Sequence, residues 1–315
     1  MNSFMGSTFK ILLSVEFIIG NVGNGFIALV NCMDSVKKRK ISPVDEILTA
    51  LAISRIGLFF SVVIIKLAFM AYPEKLMTKS MLRMINVIWI VTNHFSIWLA
   101  ACLNVFYFLK VAYFTNSIFL YLKWRVKKVV SMTLLMSLFV LFLNIIVISI
   151  PAYSCIDGSK INISSSSGLR NSTWSFKLFL FTNSMFALIP YTLSLTTCLL
   201  LILSLCKHLK KMKQNAKGFR DANIVAHIKA MQMGMSLVLL YTVFLLVLTI
   251  QISHIEFLDD DMIVSLDYSM GAAFSASHSI VLILGNSKLR QTSLSVLWWL
   301  RNSCKCAALK FLKHF

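Results

Sequence analysis

Seven apolar stretches dominate this chain, and each is long enough to cross a membrane as a helix. About 20 apolar residues span a hydrocarbon core of about 30 Å. Hydrophobic residues make up 58% of the chain and charged residues 14%, against roughly 45–50% and about 25% in soluble domains. We therefore predict an all-α membrane protein, a seven-transmembrane helix bundle over residues 9–286 with residues 1–8 before it and a tail over 287–315. The predicted spans are approximately 9–31, 46–71, 84–108, 128–150, 178–206, 230–252 and 263–285.

Basic residues divide unequally between the two ends of these spans. Of the 31 Lys and Arg residues, 22 lie in the segments on one side and six in those on the other. The rich segments are 32–45, 109–128, 207–229 and 287–315. Under the positive-inside rule they face the cytoplasm, so we predict a multi-pass membrane protein with its N-terminus outside and its C-terminus in the cytoplasm. Cytoplasmic segments account for the net charge of +19, and no nucleic-acid partner is expected.

Two glycosylation sequons lie on the predicted extracellular side. Asn162-Ile-Ser164 and Asn171-Ser-Thr173 both fall between the fourth and fifth spans. A single sequon is common by chance, but both agree with the side that the charge distribution assigns. We predict glycans at Asn162 and Asn171.

Several polar residues stand inside the spans, where each is costly and indicates a role. Gly20, Gly23 and Asn24 share one face of the first span, which favours close helix approach and an interhelical hydrogen bond. Arg55 lies about a third of the way into the second span from its cytoplasmic end. We predict that Arg55 clamps two helices together with a partner such as Asn24; a place on an ion path is the alternative.

The third span carries candidate residues at both ends. Trp89 and Asn93 are four residues apart and share a helical face in the outer half. They could line a pocket open to the outside, or Trp89 could belong to the aromatic belt at the membrane interface. At the inner end, a cytoplasmic partner would first contact Phe106, Tyr107 and Lys110.

The seventh span ends in "HSIVLILGNSKLR", residues 278–290. No second ligand stands at metal-binding spacing from His278, so we predict a buried hydrogen-bonding ring and no metal site. The letters "GNSKLR" mark a turn into a tail that mixes aromatic and basic residues, which is typical of an amphipathic helix on membrane lipid. The chain has no HExxH, GxSxG or P-loop motif, and we expect neither enzyme activity nor a cofactor.

Four ordered segments carry a family pattern. They are "LTALAISRI" (48–56), "NHFSIWLAACLNVFYFLKVAYFTNSIFLYLKWRVKKV" (93–129), "PYTLSLTTCLLLILSLCKHLKKMKQNAKGFRD" (190–221) and "HSIVLILGNSKLRQT" (278–292). In these segments the chain closely resembles the type 2 bitter taste receptors. The resemblance implies a seven-helix G-protein-coupled receptor for small bitter agonists. It also implies a heterotrimeric G protein of the gustducin type, then phospholipase C, calcium release and a calcium-activated cation channel.

The resemblance further implies roles for individual residues. Matching positions in the family's agonist pocket are Trp89, Asn93, Phe244 and Tyr268. Some relatives carry glutamate where Tyr268 stands, which weakens the case for cationic agonists at that position. Residues expected to face the G protein are Lys207, Lys210, Lys211 and Lys213.

Two other classes stay open from the residues alone. A transporter or channel could use Arg55, Lys66 and Glu16 along a path, although inverted repeats and mid-membrane breaks, which favour that class, are not seen. A pheromone-type receptor would share the topology but not the four segments. Oligomerisation is compatible with each of these classes.

Overall fold

The computed structural model describes residues 3–38, 42–71, 79–158, 165–214, 222–254 and 260–312. All the regular structure in these ranges is helical. The helices are α1 (Ser3–Lys38), α2 (Pro43–Ala71), α3 (Lys79–Val111), α4 (Ser117–Trp124), α5 (Val126–Gly158), α6 (Ser165–Gln214), α7 (Ala222–His254), α8 (Asp260–Gly285) and α9 (Ser287–Leu312). Each of the seven predicted spans lies within one long helix. The helices extend past the spans, most of all α6, whose 50 residues make it about 75 Å long.

Six of these helices contain an apolar stretch of spanning length: α1, α2, α3, α5, α6 and α7. In α8 the described apolar stretch, Ser269–Gly285, is shorter. The whole of α8 nevertheless has 26 residues, about 39 Å of helix, which is enough to cross a bilayer. Together the seven long helices form the predicted bundle.

Helix α3 occupies the centre of the bundle, where it contacts α2, α5, α6 and α7. Helix α1 packs against α2 and α8, and α7 packs against α6 and α8. Ala100, Ala101 and Cys102 follow one another on α3 and are all buried. Small side chains let neighbouring helices approach closely in a membrane, so this run suits the most crowded position of the bundle.

Gly20 marks another close approach, between α1 and α2. A Cβ atom at Gly20 would overlap the ring of Phe59, which itself is buried. The sequence pattern indicated close packing on this face of α1, and the structure shows two neighbours: α2 at Gly20, and α8 at Gly23, where the nearest atoms belong to Ser279 and Ile283.

The polarity of the bundle is reversed relative to a soluble protein. Large apolar side chains such as Val22, Leu29, Phe139 and Phe142 are exposed on its outside, whereas a set of polar side chains lies fully buried inside. Such an outer surface is stable only against lipid.

Two further helices flank the bundle at its predicted cytoplasmic end. The short helix α4 was not anticipated; Asn116 caps it, with its side-chain oxygen accepting a hydrogen bond from the backbone N–H of Ile118 at 3.1 Å. Asn286 caps α9 in the same way, accepting from the backbone N–H of Lys288 at 3.0 Å. On α9, Trp298 and Trp299 are exposed, as expected of a helix that lies on a membrane surface.

Candidate functional site

A buried polar cluster joins three helices of the bundle. Arg55 on α2 is fully buried, and its Nη1 donates to the hydroxyl of Ser279 on α8 at 3.0 Å. Its Nη2 donates to Nδ1 of His278 on the same helix. The Ser279 hydroxyl in turn donates to the side-chain oxygen of Asn24 on α1 at 2.8 Å. We call these four residues, Asn24, Arg55, His278 and Ser279, the polar clamp.

The charge of the clamp rests on one residue. A guanidinium has only donors, so Nδ1 of His278 must accept, and its ring is the neutral tautomer with the proton on Nε2. Among the described residues no carboxylate forms an ion pair with Arg55, and its Nε has no partner there. A buried cation held by neutral acceptors alone is costly in a membrane, which points to a functional reason for retaining it.

The clamp differs in one detail from the sequence prediction. We expected Asn24 as a direct partner of Arg55, but Ser279 lies between them and bonds to both. Asn24 instead donates its own amide to the backbone carbonyl of Gly20, at 2.7 Å. Ser279 was missed because a serine in an apolar helix usually bonds to its own backbone. Here its single O–H is shared between the carbonyl of Ser275 and the side-chain oxygen of Asn24, each at 2.8 Å.

A chain of aromatic rings leads from the clamp to α6. His278 stacks on Phe274 with ring centroids 6.4 Å apart. Phe274 lies 5.9 Å from Phe244 and 5.5 Å from Tyr241 on α7. Tyr241 meets Tyr191 on α6 edge to face at 5.4 Å. We call Tyr191, Tyr241, Phe244 and Phe274 the aromatic chain. It connects α8, α7 and α6 through side chains in direct contact.

The α6 end of the aromatic chain lies beside a proline that interrupts the hydrogen bonding of α6. Pro190 lies inside α6, where it lacks an N–H and interrupts the helical hydrogen bonding. The hydroxyl of Tyr241 donates to the backbone carbonyl of Ala187 at 2.7 Å, and that of Tyr191 lies 3.1 Å from the hydroxyl of Thr242. The geometry of α6 at its proline therefore depends on α7, as is usual for prolines in membrane helices.

The outer candidate residues occupy a neighbouring cluster. Trp89 is only 4% exposed and packs in a cluster of buried residues from α2, α3, α5 and α8. This burial excludes the belt interpretation, since a belt residue would face lipid. Asn93 is half-buried one turn further in. Phe244 belongs to a different cluster, and Phe95 packs against both. The side chain of Tyr268 lies outside the described residues.

The inner end of α3 borders a strongly basic cavity. Phe106 is buried, Tyr107 is half-buried and Lys110 is exposed. Phe106 and Lys110 line a cavity of about 680 Å³ between the start of α2, the end of α3 and the α4–α5 junction. Five cations line it, and no acidic residue does: Lys110, Lys123, Arg125, Lys127 and Lys128. We call this the basic cavity.

The predicted G-protein-facing lysines fall at the C-terminal end of α6, and Asn171 falls near its N-terminal end. Lys207 and Lys210 are exposed, and Lys207 lies 5.5 Å above the ring of Phe114. The side chains of Lys211 and Lys213 lie outside the described residues. Asn162 also lies outside them, and of Asn171 only the backbone is described, as part of α6.

An ion-pair cluster that the sequence analysis missed ties α9 to the bundle. The ammonium of Lys288 lies 2.9 Å from a carboxylate oxygen of Asp34 on α1 and 3.4 Å from one of Asp45 on α2. It also donates to the side-chain oxygen of Asn31 at 3.0 Å. The signal was two carboxylates within an otherwise basic predicted cytoplasmic segment. We call this cluster the inner latch.

Among the described residues, no group of three or more His, Cys, Asp or Glu side chains could hold a metal ion. An apolar exterior, a buried polar clamp and seven long helices define the class of helical-bundle membrane proteins.

Comparison with known proteins identifies the family. The sequence model of the family described as "Taste receptor protein (TAS2R)" matches residues 1–301. Taste receptor type 2 member 140 of Rattus norvegicus is 52% identical over 299 residues, which cover 95% of this chain and 96% of the relative. Taste receptor type 2 member 14 of Macaca mulatta is 52% identical over 301 residues, covering 96% and 94%. Its counterpart in Papio hamadryas is 50% identical over 315 residues, covering 100% and 99%.

The chain belongs to the taste receptor type 2 family. It is a bitter taste receptor, a multi-pass membrane protein that responds to small molecules through a G protein, and it is not an enzyme. The alternative of a transporter or channel is not favoured.

Proposed function

We propose that this receptor lies in the plasma membrane and binds bitter agonists in the outer half of its bundle, at Trp89, Asn93, Phe244 and Tyr268. One observation carries the proposal. Phe95 packs against both the Trp89 cluster and the large core cluster that contains Tyr241, Phe244 and Phe274, and Phe274 stacks on His278 of the polar clamp. A ligand that changes the packing at Trp89 thereby acts on contacts that reach α6, α7 and α8.

The mechanism is a shift between two arrangements of the helices. An agonist shifts the equilibrium only by the difference between its affinities for the two arrangements. Two elements are suited to changing between the arrangements: the helical turn of α6 at Pro190, and the hydrogen bond between Arg55 and His278. Both depend on side-chain hydrogen bonds between helices, which can break and form again as the helices move. Rearrangement of α6 and α7 against α3 then opens the inner end of the bundle to the G protein.

The proposed G-protein surface lies at the inner ends of α3 and α6. It comprises Phe106, Tyr107 and Lys110 with Lys207, Lys210, Lys211 and Lys213. The exposed lysines Lys110, Lys207 and Lys210 favour an acidic partner surface. We assign a gustducin-type G protein to this surface from the family resemblance.

The proposed topology places the N-terminus outside and the tail inside, because basic residues concentrate at one end of the helices. In this orientation Asn162 and Asn171 are available for glycosylation. The polar clamp joins α1, α2 and α8 within the membrane, and α9 lies on the inner leaflet.

The substitution Trp89→Ala tests the agonist site. Loss of an aromatic contact worth about 1.5–3 kcal/mol should raise the half-maximal agonist concentration roughly 10- to 150-fold. The measurement is calcium flux in cells that carry the receptor and a suitable G protein, with surface receptor counted by antibody. Trp89→Phe should retain most of the potency, because it keeps a ring in the cluster.

The matched control is Ile88→Ala, since Ile88 is the exposed neighbour of Trp89 on α3. It should leave potency unchanged. If Trp89→Ala reaches the surface normally and gives the wild-type dose–response curve, the agonist site lies elsewhere.

A further inference from the structure

Next to the basic cavity lies an apolar groove that opens to the lipid side of the bundle. Its volume is about 460 Å³, and it is bounded by α3, α4, α5 and α6. The apolar lining includes Trp98, Val129, Met132, Met136 and Leu193. Arg125 and Lys128 line both the groove and the basic cavity. The basic cavity and the apolar groove therefore meet at the side chains of Arg125 and Lys128.

We propose that the two cavities form one binding site for a phosphoinositide of the cytoplasmic leaflet. Its phosphorylated headgroup occupies the basic cavity, and one acyl chain lies in the apolar groove. The proposal rests on the membrane orientation proposed above and adds a specific lipid partner to it.

Charge supports a headgroup with several phosphates. The cavity holds five cations and no carboxylate in its lining. Their crowding is visible at Lys123, whose pKa is lowered by burial and then by the positive charge of Lys110. A multiply charged anion relieves this repulsion, whereas a lipid with a single net charge leaves most of it. Basic pockets between helices at the cytoplasmic side suit such headgroups.

Two of the cations are already oriented by the protein. Lys123 donates to the backbone carbonyl of Ala112 at 2.8 Å, and so caps the end of α3. The guanidinium of Arg125 lies 4.8 Å above the ring of Tyr121. Lys110, Lys127 and Lys128 are exposed and available to phosphate oxygens. The basic cavity thus combines two cations held by protein contacts with three exposed lysines.

The position of the groove favours a lipid over a soluble anion. The apolar stretch of α5 begins at Val126, so Arg125, Lys127 and Lys128 stand at the boundary where lipid phosphates lie. From there Met132 and Met136 follow along α5, exposed on the side of the acyl chains. A soluble inositol phosphate would occupy the basic cavity but has no acyl chain to lie in the apolar groove.

Lipid binding to the purified full-length receptor in detergent tests the site, with native mass spectrometry as the readout. The probes are phosphatidylinositol bisphosphate, phosphatidylserine and soluble inositol trisphosphate. We expect one phosphatidylinositol bisphosphate molecule to bind at concentrations where the other two do not. The double variant Lys127→Gln, Lys128→Gln should bind it roughly 30-fold more weakly, at about a factor of five per cation.

Two control variants separate the parts of the site. Lys37→Gln with Arg290→Gln removes the same charge from exposed positions outside both cavities, and should bind as the wild type does. Met136→Trp fills the groove and should weaken lipid binding about tenfold, whereas Leu138→Trp, at an exposed position of α5 outside the groove, should not. Thermal melting of each variant confirms that it is folded.

Three results would overturn the proposal. The first is equal binding of phosphatidylserine and phosphatidylinositol bisphosphate. The second is binding of inositol trisphosphate as tight as that of the lipid, which would make this a site for a soluble anion. The third is a double lysine variant that keeps lipid affinity but loses agonist-evoked nucleotide exchange on the G protein, which would make it a protein-docking surface. The orientation is tested separately, by antibody access to an N-terminal epitope on intact cells, and binding in detergent does not depend on it, so failure of the lipid site is distinguishable from a reversed topology.

Discussion

Replacing His278 by leucine should destabilise the receptor through one specific hydrogen bond. The change removes the Nδ1 acceptor and leaves the fully buried guanidinium of Arg55 with Ser279 alone as a side-chain partner. A hydrogen bond to a charged group contributes about 1.5–3 kcal/mol, and we take about 2 kcal/mol here. At about 2–4 °C per kcal/mol for a chain of this order of size, the midpoint of thermal unfolding should fall by about 4–8 °C.

A double-mutant cycle isolates this bond from other effects of the substitution. Arg55→Met alone should also destabilise, because it leaves His278 and Ser279 without their donor. The double variant Arg55→Met, His278→Leu replaces both partners by apolar groups and removes the buried charge, a combination that can be nearly neutral. The double variant should therefore lose less free energy of unfolding than the two single variants lose together, by about 2 kcal/mol.

Thermal unfolding can be followed in detergent with a dye that fluoresces on reaction with thiols, because Cys102 and Cys198 are free and buried in the folded bundle. The control is Ile280→Ala, on the exposed face of the same helix. Additive losses, within about 0.5 kcal/mol, would refute the reasoning, since uncoupled residues do not share a bond.

Three further outcomes follow from other parts of the structure. Gly20→Ala should destabilise by about 1–3 kcal/mol in the same melting assay, because its Cβ would overlap the buried ring of Phe59, whereas Gly25→Ala, with open space at its Cβ, should not; equal melting of the two would contradict the close approach of α1 to α2. Lys288→Met should cost at most about 1 kcal/mol, since its ion pairs are partly exposed, yet it should speed hydrogen exchange in the first turn of α9; unchanged exchange would mean that the inner latch does not hold α9. An epitope at the N-terminus should bind antibody on intact cells, and binding only after permeabilisation would reverse the proposed topology.

Hydrophobicity made the helices predictable and left their neighbours undetermined. The length of each apolar stretch placed seven spans, and each lies within one helix. The extent of the helices beyond the spans was not predictable, since apolarity ends at the membrane boundary whereas helical hydrogen bonding does not. Helix α4 was missed for a related reason: with eight residues it is too short for a clear periodic signal.

In the polar clamp, too, one residue was predictable from the sequence whereas its partners were not. Arg55 was identifiable because a buried cation in a membrane helix requires partners. Its particular partners were not, because a single helix position does not reveal which helices meet there. His278 and Ser279 are adjacent in the sequence, yet both point to α2. Pairing of this kind depends on the rotation of α8 about its own axis, which the crowded packing with α1 and α7 determines.

The separation of the clamp residues along the chain has a consequence for biogenesis. Arg55 and Ser279 are 224 residues apart, and Asn24 and Ser279 are 255 apart. At about 5–20 residues per second of synthesis, helix α2 waits about 11–45 s before its partners on α8 leave the ribosome. During this interval α2 carries an arginine whose insertion costs about 2.5–3.5 kcal/mol, with neither of its α8 acceptors yet made. The early helices therefore carry this cost until the last helix arrives, and a chain that stops short of α8 leaves Arg55 permanently without its acceptors His278 and Ser279.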